Sequence, residues 1–331
     1  MVEFIEETET LNSIRLIKVR EGSTEIFIPD PNFYAHEPSA YLPTTLPVFY
    51  NPIMEINRDL SVIFTRIYLE NSNEEKIYYV ESMAGTGIRG FRILNEVKDD
   101  RLVVIMNDVS QKAYELMKYN SEILGYDSNR LILFNLDANY LFRKLSKDLG
   151  IRPHIIDIDP YGTPAPFIFN ALSCIRSKMG MLLVTATDTA PLVGKFPNAA
   201  LRKYGCRIVK NPFPREIAVR ALMYMIGREG TILSIRIKPI LSLFLHHFIR
   251  LVLIIDRGKR KSDEFWQSIG WISFCPICNK YYVTRGLTNF PPSRCEIEGH
   301  GNTDIIGPLW IDSLFDQRYL LRAIDILTGI N

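Results

Sequence analysis

One stretch of the chain decides its fold, and it reads Ile77-Tyr78-Tyr79-Val80-Glu81-Ser82-Met83-Ala84-Gly85-Thr86-Gly87-Ile88-Arg89-Gly90. Its apolar opening predicts a buried strand, its glycines a tight turn, and the residues after the second glycine the start of a helix. The glycines match the G-x-G-x-x-G pattern of nucleotide-binding α/β sheets, and Asp108 follows at about the spacing of a ribose-binding acid. The stretch therefore predicts an α/β fold with a nucleoside ligand at the turn.

The glycine pattern alone favours a nicotinamide dinucleotide, but Glu81 favours a different cofactor. Glu81 ends the predicted strand four residues before Gly85. A carboxylate there would repel a pyrophosphate, which binds to amide donors at a helix N-terminus. S-adenosylmethionine carries no phosphate and has a cationic amino-acid end, so a carboxylate at this turn suits it.

Two further predicted strands also end in acids. Residues 101–108 end in Asp108, and Asp137 lies near the end of residues 131–138. Asp108 could accept hydrogen bonds from both ribose hydroxyls, and Asp137 could accept one from the adenine amino group. Each acid alone is more typical of a helix N-cap. Because ligands of open α/β sheets bind at the carboxyl ends of the strands, the three acids together predict a nucleoside site there.

A fourth apolar run leads into Asp157-Ile158-Asp159-Pro160-Tyr161-Gly162. The acid, proline and aromatic residue bring a carboxylate, a carbonyl without a neighbouring N–H donor and a flat ring to one small space. The two acceptors could bind the amino group of a planar base while the ring stacks on its face. The run therefore predicts activation of an exocyclic nitrogen as a nucleophile. The alternative is an ordinary surface turn, since aspartate, proline and glycine are common turn residues.

The chain resembles the class I methyltransferases that dimethylate N2 of guanine-26 in tRNA. The resemblance covers most of the chain, and it is carried by Val48-Phe49-Tyr50-Asn51-Pro52, Asn57-Arg58-Asp59-Leu60-Ser61, Gly85 to Arg89, Asp159-Pro160-Tyr161-Gly162, Thr185-Ala186-Thr187-Asp188 and Gly307-Pro308-Leu309-Trp310. The second and fourth segments together are specific, whereas the glycine turn is common to many folds. Tyr161 stands where many relatives have phenylalanine and Glu81 where aspartate is commoner, and both substitutions keep the chemistry.

The resemblance implies a Rossmann-like class I methyltransferase sheet with a smaller α+β C-terminal domain, S-adenosylmethionine as methyl donor and tRNA as substrate. It implies that Asp159 takes the amine proton and that an extruded guanine lies between Tyr161 and one ring of the Phe49-Tyr50 pair, preferably Phe49. Room beside Pro160 would let the monomethylated amine rotate. The cofactor-binding residues that it implies are Arg58, Glu81, Gly85, Gly87, Arg89, Asp108, Asp137 and Ala138.

The cysteines predict a metal site. Cys275 and Cys278 are separated by two residues, and Cys295 and His300 follow. This spacing can close a tetrahedral zinc site of three thiolates and one imidazole. Because no ligand position would remain open, we expect a structural zinc. The alternative is that the cysteines are free.

The composition is that of an ordinary globular protein. The chain has 331 residues, 47% hydrophobic content and a net charge of +2, so any contact with tRNA must be local. Local clusters of basic residues occur at 202–215 and at 257–261. The longest apolar stretch, residues 240–255, contains two histidines and an arginine and predicts no membrane span. The acidic N-terminus lacks a signal-peptide pattern, so we expect a cytoplasmic protein, with no membrane association and no stable protein partner.

The order of predicted elements suggests two domains. We expect a cofactor-binding domain over residues 1–229 and a tRNA-binding domain with the zinc site over residues 230–331. A hairpin at residues 13–19 and 24–28 and an extended segment to residue 52 precede a helix over 54–70. Apolar positions 56, 60, 63 and 67 of that helix form a stripe that leaves Arg58 outside it. A later helix over 214–228 is followed by a strand predicted at 230–238.

Three other functions stay open from the sequence. The first is an amino-methyltransferase that acts on adenine or cytosine in DNA, because the aspartate-proline-aromatic arrangement suits any exocyclic amine. The second is a nicotinamide-dependent oxidoreductase, which the glycine spacing favours and Glu81 opposes. The third is a non-catalytic RNA-binding module with a zinc ribbon, which would leave the aligned acids unexplained.

Overall fold

The computed structural model describes residues 2–34 and 43–329. Part of the predicted extended segment, residues 35–42, lies outside this description. Within the described ranges the chain divides into two compact units. The first unit comprises the described residues up to Asp159 and those from Arg322 onward, and the second unit comprises Pro160–Leu321. The domain boundary expected at residue 229 stays a prediction.

The first unit begins with a three-stranded antiparallel sheet, followed by a short helix. The elements are β1 (Glu3–Leu11), β2 (Ile14–Glu21), β3 (Thr24–Pro29) and α1 (Pro31–Tyr34). Strands β2 and β3 form the predicted hairpin. The sequence does not predict β1, because no alternation of apolar and polar residues marks it. In the structure none of its residues is buried. Pairing with β2 makes this segment a strand.

A parallel sheet of four strands forms the centre of the first unit. The strands are β4 (Ile77–Glu81), β5 (Leu102–Asn107), β6 (Leu131–Phe134) and β7 (Ile155–Ile158), in the order β6-β5-β4-β7. All pairings in this order are parallel. Every residue of β5 and of β7 is buried, as expected for parallel strands with both faces covered. The sheet confirms the α/β fold predicted from the sequence.

In the first unit one further helix precedes the parallel strands and one follows each of β4, β5 and β6. These helices are α2 (Glu55–Glu70), α3 (Ile88–Val97), α4 (Gln111–Leu124) and α5 (Ala138–Arg143). The stripe predicted on α2 is wrong at its start: Ile63 and Ile67 are buried, but Ile56 is 43% exposed and Arg58 is buried. Polar side chains can occupy the buried face of α2 because they form hydrogen bonds with one another and with the sheet.

The second unit contains the elements α6 (Ala165–Cys174), β8 (Gly180–Ala186), α7 (Thr189–Leu192), α8 (Pro197–Tyr204), α9 (Pro214–Ile232), β9 (Ile235–Leu245), β10 (Phe248–Arg257), α10 (Lys259–Asp263), β11 (Ile269–Phe274), β12 (Tyr281–Arg285) and β13 (Asp304–Trp310). A last helix, α11 (Gln317–Thr328), continues into the first unit. The strand predicted at residue 230 is wrong at its start, because α9 continues to Ile232. Gly230, which suggests a break, instead lets α9 pack closely on Ile235, whose carbonyl oxygen lies 3.2 Å from where a Cβ on Gly230 would be.

Two antiparallel sheets complete the second unit. One has the order β8-β10-β9 within this unit, and the other has the order β12-β11-β13. The long apolar stretch of the sequence forms the hairpin of β9 and β10, which reverses at His246 with a φ of 48°. Among the described residues, none of the helices has the length and apolar character that crossing a membrane requires.

Candidate active site

The carboxyl ends of the central strands of the first unit meet at one edge of the sheet. In the register of β4 with its neighbours, Glu81 pairs with Met106 of β5 on one side and with Asp157 of β7 on the other. The segments that leave these strands therefore start side by side. This edge is where ligands of open α/β sheets bind.

The glycine turn after β4 depends on its glycines. Gly85 and Gly87 have φ values of 55° and 80°, a region that favours glycine. The backbone N–H of Gly85 donates to the carboxylate of Asp108 at 2.8 Å. A Cβ on Gly85 would lie 2.9 Å from the carbonyl oxygen of Phe49, so the backbone of Phe49 packs directly against the turn. Gly90 has no room for a side chain against β5.

Arg89, in the first turn of α3, connects the glycine turn to the predicted catalytic aspartate. Its side chain is only 4% exposed. Its Nε donates to Glu81 at 3.2 Å, and its Nη2 donates to the carboxylate of Asp159. Its Nη1 donates to Ser61 Oγ at 2.7 Å and to Asn57 Oδ1 at 2.8 Å. The structure thus brings together three residues that the sequence singles out, Glu81, Arg89 and Asp159.

Asp157 is a buried member of this cluster to which the sequence analysis assigns no role. Its Oδ2 accepts a hydrogen bond from Ser61 Oγ at 2.9 Å and another from the hydroxyl of Tyr79 at 2.8 Å. The same oxygen lies 3.4 Å from Nη1 of Arg89. Asp157 shares the side of β7 that Asp159 continues, because side chains alternate along a strand. That alternation is the signal in the sequence that could have found it.

The cluster contains three carboxyl groups and one guanidinium group. Burial raises the pKa of Glu81 to about 8, an effect that Arg89 opposes and Asp157 reinforces. Burial lowers the pKa of Arg89, but Asp157 and Asp159 outweigh this effect and the net shift is upward, so Arg89 stays charged. Burial is the main reason that Glu81 holds a proton near neutral pH, and the carboxyl groups of the cluster outnumber its one guanidinium group. The cluster would therefore accommodate an additional cationic group.

The predicted catalytic residues are divided between the two units. Asp159 ends the first unit, its side chain is 16% exposed, and its Oδ1 accepts no hydrogen bond from any residue that the structure describes. Pro160 is buried, and the side chain of Tyr161 is 81% exposed. Phe49, in the first unit, is 43% exposed. Stacking of a base between the two rings stays a prediction.

Arg58 has a protein carboxylate as its partner. Its Nε and Nη2 donate to the two carboxylate oxygens of Glu21 at 2.6 and 2.7 Å, and Nη2 also donates to the carbonyl oxygen of Asn51 at 3.1 Å. Arg92 donates to Glu21 as well, at 2.9 Å. Burial raises the pKa of Glu21, but the two guanidinium groups more than reverse this and the net shift is downward. Contact of Arg58 with a cofactor carboxylate stays a prediction.

The two remaining acids and Ala138 lie at helix starts. Asp108 accepts from Gly85 through Oδ2 and from the N–H of Ser110 through Oδ1, at 2.9 Å for the second bond. Asp137 is the N-cap of α5, and its Oδ1 accepts from two backbone N–H groups of the first turn. Ala138 is buried as the first residue of that helix. Asp137 thus has the capping contact considered as the alternative, whereas the N-cap of α4 is Ser110 and Asp108 instead accepts from the glycine turn. Contact of either acid with a nucleoside stays a prediction.

The predicted metal ligands lie together in the second unit. The ligand atoms of Cys275, Cys278, Cys295 and His300 all lie within 4.8 Å of one another. Sγ of Cys278 and Sγ of Cys295 are 3.8 Å apart, and Nδ1 of His300 lies 3.7 Å from the sulfur atoms of Cys275 and Cys295. Backbone N–H groups of Cys278 and Ile277 lower the pKa of Cys275 to about 6, which favours the thiolate. The four residues form a candidate metal centre.

Residues 22–330 match the protein family described as TRM, N2,N2-dimethylguanosine tRNA methyltransferase. The chain belongs to this family. A tRNA (guanine(26)-N(2))-dimethyltransferase of Methanosarcina barkeri is 36% identical over 313 residues, which cover 93% of this chain and 76% of the relative. The protein of the same name from Saccharolobus solfataricus is 35% identical over 321 residues, which cover 96% of this chain and 79% of the relative.

A solved structure of another family member has the same fold. The complex of Trm1 from Pyrococcus horikoshii with S-adenosyl-L-methionine matches with a TM-score of 0.77 and 30% identity, covering 94% of this chain and 77% of that one. The match confirms the Rossmann-like class I methyltransferase fold, and the N2,N2-dimethylguanosine tRNA methyltransferase family confirms the resemblance seen in the sequence. Membership favours a tRNA methyltransferase over the oxidoreductase, the DNA methyltransferase and the non-catalytic module.

Proposed function

We propose that this chain transfers methyl groups from S-adenosylmethionine to the exocyclic N2 of guanine-26 in tRNA, giving N2,N2-dimethylguanosine. One observation carries the proposal for a member of this family: Arg89, at the start of the helix after the glycine turn, donates to Asp159. The bond joins the predicted cofactor turn to the carboxylate predicted to activate the amine. A methyl donor and an acceptor must meet at one place, and this contact supports a shared site for both.

The predicted cofactor residues fit the donors and acceptors of S-adenosylmethionine. Asp137 is exposed, and its Oδ2 accepts no hydrogen bond from the described part of the chain, so it can accept one from the adenine amino group. Asp108 holds the turn with two of its lone pairs and keeps others for ribose hydroxyls. The surplus of negative charge around Glu81 suits the cationic amino group of the methionine part.

When bound, S-adenosylmethionine supplies an electrophilic methyl group on a positively charged sulfur. Arg89 holds Asp159 through Oδ2 and leaves Oδ1 for the N2–H of the guanine. Asp159 orients the amine and takes its proton while the nitrogen–carbon bond forms and the carbon–sulfur bond breaks. The carbonyl of Pro160 accepts from the second N2–H. No covalent bond between enzyme and substrate is required.

The aromatic residues are proposed to hold the extruded guanine. Tyr161 and Phe49 are both exposed, so the face of each ring is accessible to a base. Stacking on each face would offset the loss of stacking in the RNA. We propose that the basic residues between 202 and 215 contact the rest of the tRNA. We also propose that the reaction takes place in the cytoplasm and requires no stable protein partner.

We also propose that the cysteine–histidine cluster binds one structural zinc ion. At a tetrahedral zinc, with thiolate sulfur at about 2.3 Å and imidazole nitrogen at about 2.0–2.1 Å, two sulfur ligands lie about 3.8 Å apart and a sulfur and a nitrogen about 3.6 Å apart. The separations of 3.7 and 3.8 Å between the sulfur and nitrogen atoms fit this geometry. Cys275 directly follows β11 and the other ligands come from irregular segments, so the ion would join segments that have little apolar core of their own.

Incubation with methyl-labelled S-adenosylmethionine tests the proposed function. The substrates are a tRNA transcript with guanine at position 26, the same transcript with adenine there, and a DNA duplex. We expect N2,N2-dimethylguanosine in the first transcript alone, identified by mass analysis of the nucleosides. Label in the DNA, label in the adenine-26 transcript, or no transfer at all would refute the proposal. N2-monomethylguanosine as the final product would refute dimethylation.

A further inference from the structure

The turn that carries Tyr161 is held by hydrogen bonds to the residues that follow β8. The turn and these residues belong to the second unit. The N–H of Gly162 donates to Oγ1 of Thr187 at 2.7 Å. The carbonyl oxygen of Gly162 accepts from the backbone N–H groups of Thr187 and Asp188 at 3.0 and 3.2 Å. Gly162 has a φ of 103°, which favours glycine. The residue after Tyr161 is therefore fixed through both of its backbone polar groups.

A second layer of side chains holds Asp188. Its Oδ2 accepts from Nζ of Lys203 at 2.6 Å and lies 3.4 Å from the hydroxyl of Tyr204. Tyr204 is only 1% exposed, and its hydroxyl also forms a hydrogen bond with the side chain of Thr163, directly after Gly162. The turn is thus tied at two consecutive residues. We call the four supporting residues the turn clamp: Thr187, Asp188, Lys203 and Tyr204.

We infer that Thr187 is a positioning residue that orients the ring of Tyr161 for methyl transfer. The inference rests on the proposed function. Because Tyr161 is 81% exposed, core packing contributes little to the orientation of its ring, and the backbone next to it contributes correspondingly more. The turn clamp fixes that backbone on the side of Gly162. A ring held in place before the base arrives loses less conformational freedom on stacking.

The hydroxyl of Thr187 is the part of the clamp that can be removed with the smallest change of shape. Valine has the same branched shape and an equal preference for a strand end, so it serves the fold of β8 equally well. It cannot accept from the N–H of Gly162. The threonine hydroxyl therefore serves the turn rather than the strand, and Thr187→Val separates the two roles.

The test measures kcat and KM for tRNA and for S-adenosylmethionine in Thr187→Val, Thr187→Ser and the control Thr231→Val. The control also removes one threonine hydroxyl, which donates to the carbonyl of Arg228 at 2.8 Å within α9. We expect Thr187→Val to lower kcat/KM for tRNA about tenfold, the scale of one donor left without an acceptor. We expect serine and the control to stay within about twofold of the parent protein, and KM for S-adenosylmethionine to be unchanged.

A double-mutant cycle with Tyr161→Ala decides whether Thr187 acts through that ring. In the Tyr161→Ala background, Thr187→Val should have no further effect. A tenfold loss that persists there, or a Thr187→Val protein as active as the parent, would overturn the inference. If Thr187→Val does not fold, Tyr204→Phe, which removes the hydroxyl that contacts Asp188, tests the clamp through its second layer with the same cycle. A parent protein without methyl transfer would instead refute the proposed function, so the two failures are distinguishable.

Discussion

Replacing Arg89 with methionine should destabilise the protein, and more so at high pH. Methionine keeps the apolar stem but removes the donors to Glu81, Asn57, Ser61 and Asp159. Removing one partner of a buried ion pair costs about 3–5 kcal/mol, because the remaining charge stays buried without compensation. We expect a loss of this size in the free energy of unfolding at neutral pH.

The pH dependence follows from the carboxyl groups that remain. Glu81 already has a raised pKa, about 8, in the folded protein, so the folded state binds its proton more tightly than the unfolded state. For such a group the stabilisation is present at low pH and is lost as the pH rises from its unfolded value toward about 8. Without Arg89 the cluster of buried carboxyl groups contains no cation, so the folded state should retain more protons on the cluster. For each proton that the folded state retains and the unfolded state has lost, the free energy of unfolding falls by about 1.4 kcal/mol as the pH rises by one unit.

Denaturant unfolding followed by circular dichroism at pH 5 and pH 8 measures both effects. Arg20→Met is the matched control, because the side chain of Arg20 is 47% exposed in its pair with Glu3, and its unfolding midpoint should not change. Adding Glu81→Gln to Arg89→Met should reduce the pH dependence, since the amide of glutamine does not lose a proton as the pH rises. A loss below about 1 kcal/mol, or an equal loss at both pH values, would refute the electrostatic account of the cluster.

Three further predictions concern the chemistry and the metal. Asp159→Ala should lower turnover by about 10²–10⁴ while the affinity for S-adenosylmethionine, measured by calorimetry, is retained, and near-normal turnover would rule out its proposed role. Tyr161→Ala should weaken tRNA binding and transfer by about 1–3 kcal/mol in total, whereas Tyr161→Phe should not, and equal activity of the two variants would place the base elsewhere. Purified protein should contain about one zinc per chain, and Cys278→Ser should lose the metal and melt at a lower temperature; a zinc content near zero in the parent protein contradicts the site.

Several elements of the fold could be predicted because their signals are local. A buried parallel strand reads as a continuous apolar run, and the turn after β4 needs glycine at positions with positive φ, so residues 77–90 indicate strand, turn and helix on their own. The cysteine and histidine spacing is equally local. Where the local signal is ambiguous, prediction failed: Gly230 suggests the end of a helix, but it serves a close contact between α9 and the next strand.

The sequence by itself determined which candidate functional residues follow one another along the chain: an acid at or after the end of each central strand, a glycine turn and an aspartate-proline-aromatic run. Only the tertiary structure decided which charges face one another. The partner of Arg58 is Glu21, from a hairpin, and Asp157 binds Ser61 across 96 positions of the chain. The physical reason is that a buried charge must find a partner in three dimensions, and its partner depends on packing between distant segments, which no local pattern of residues records.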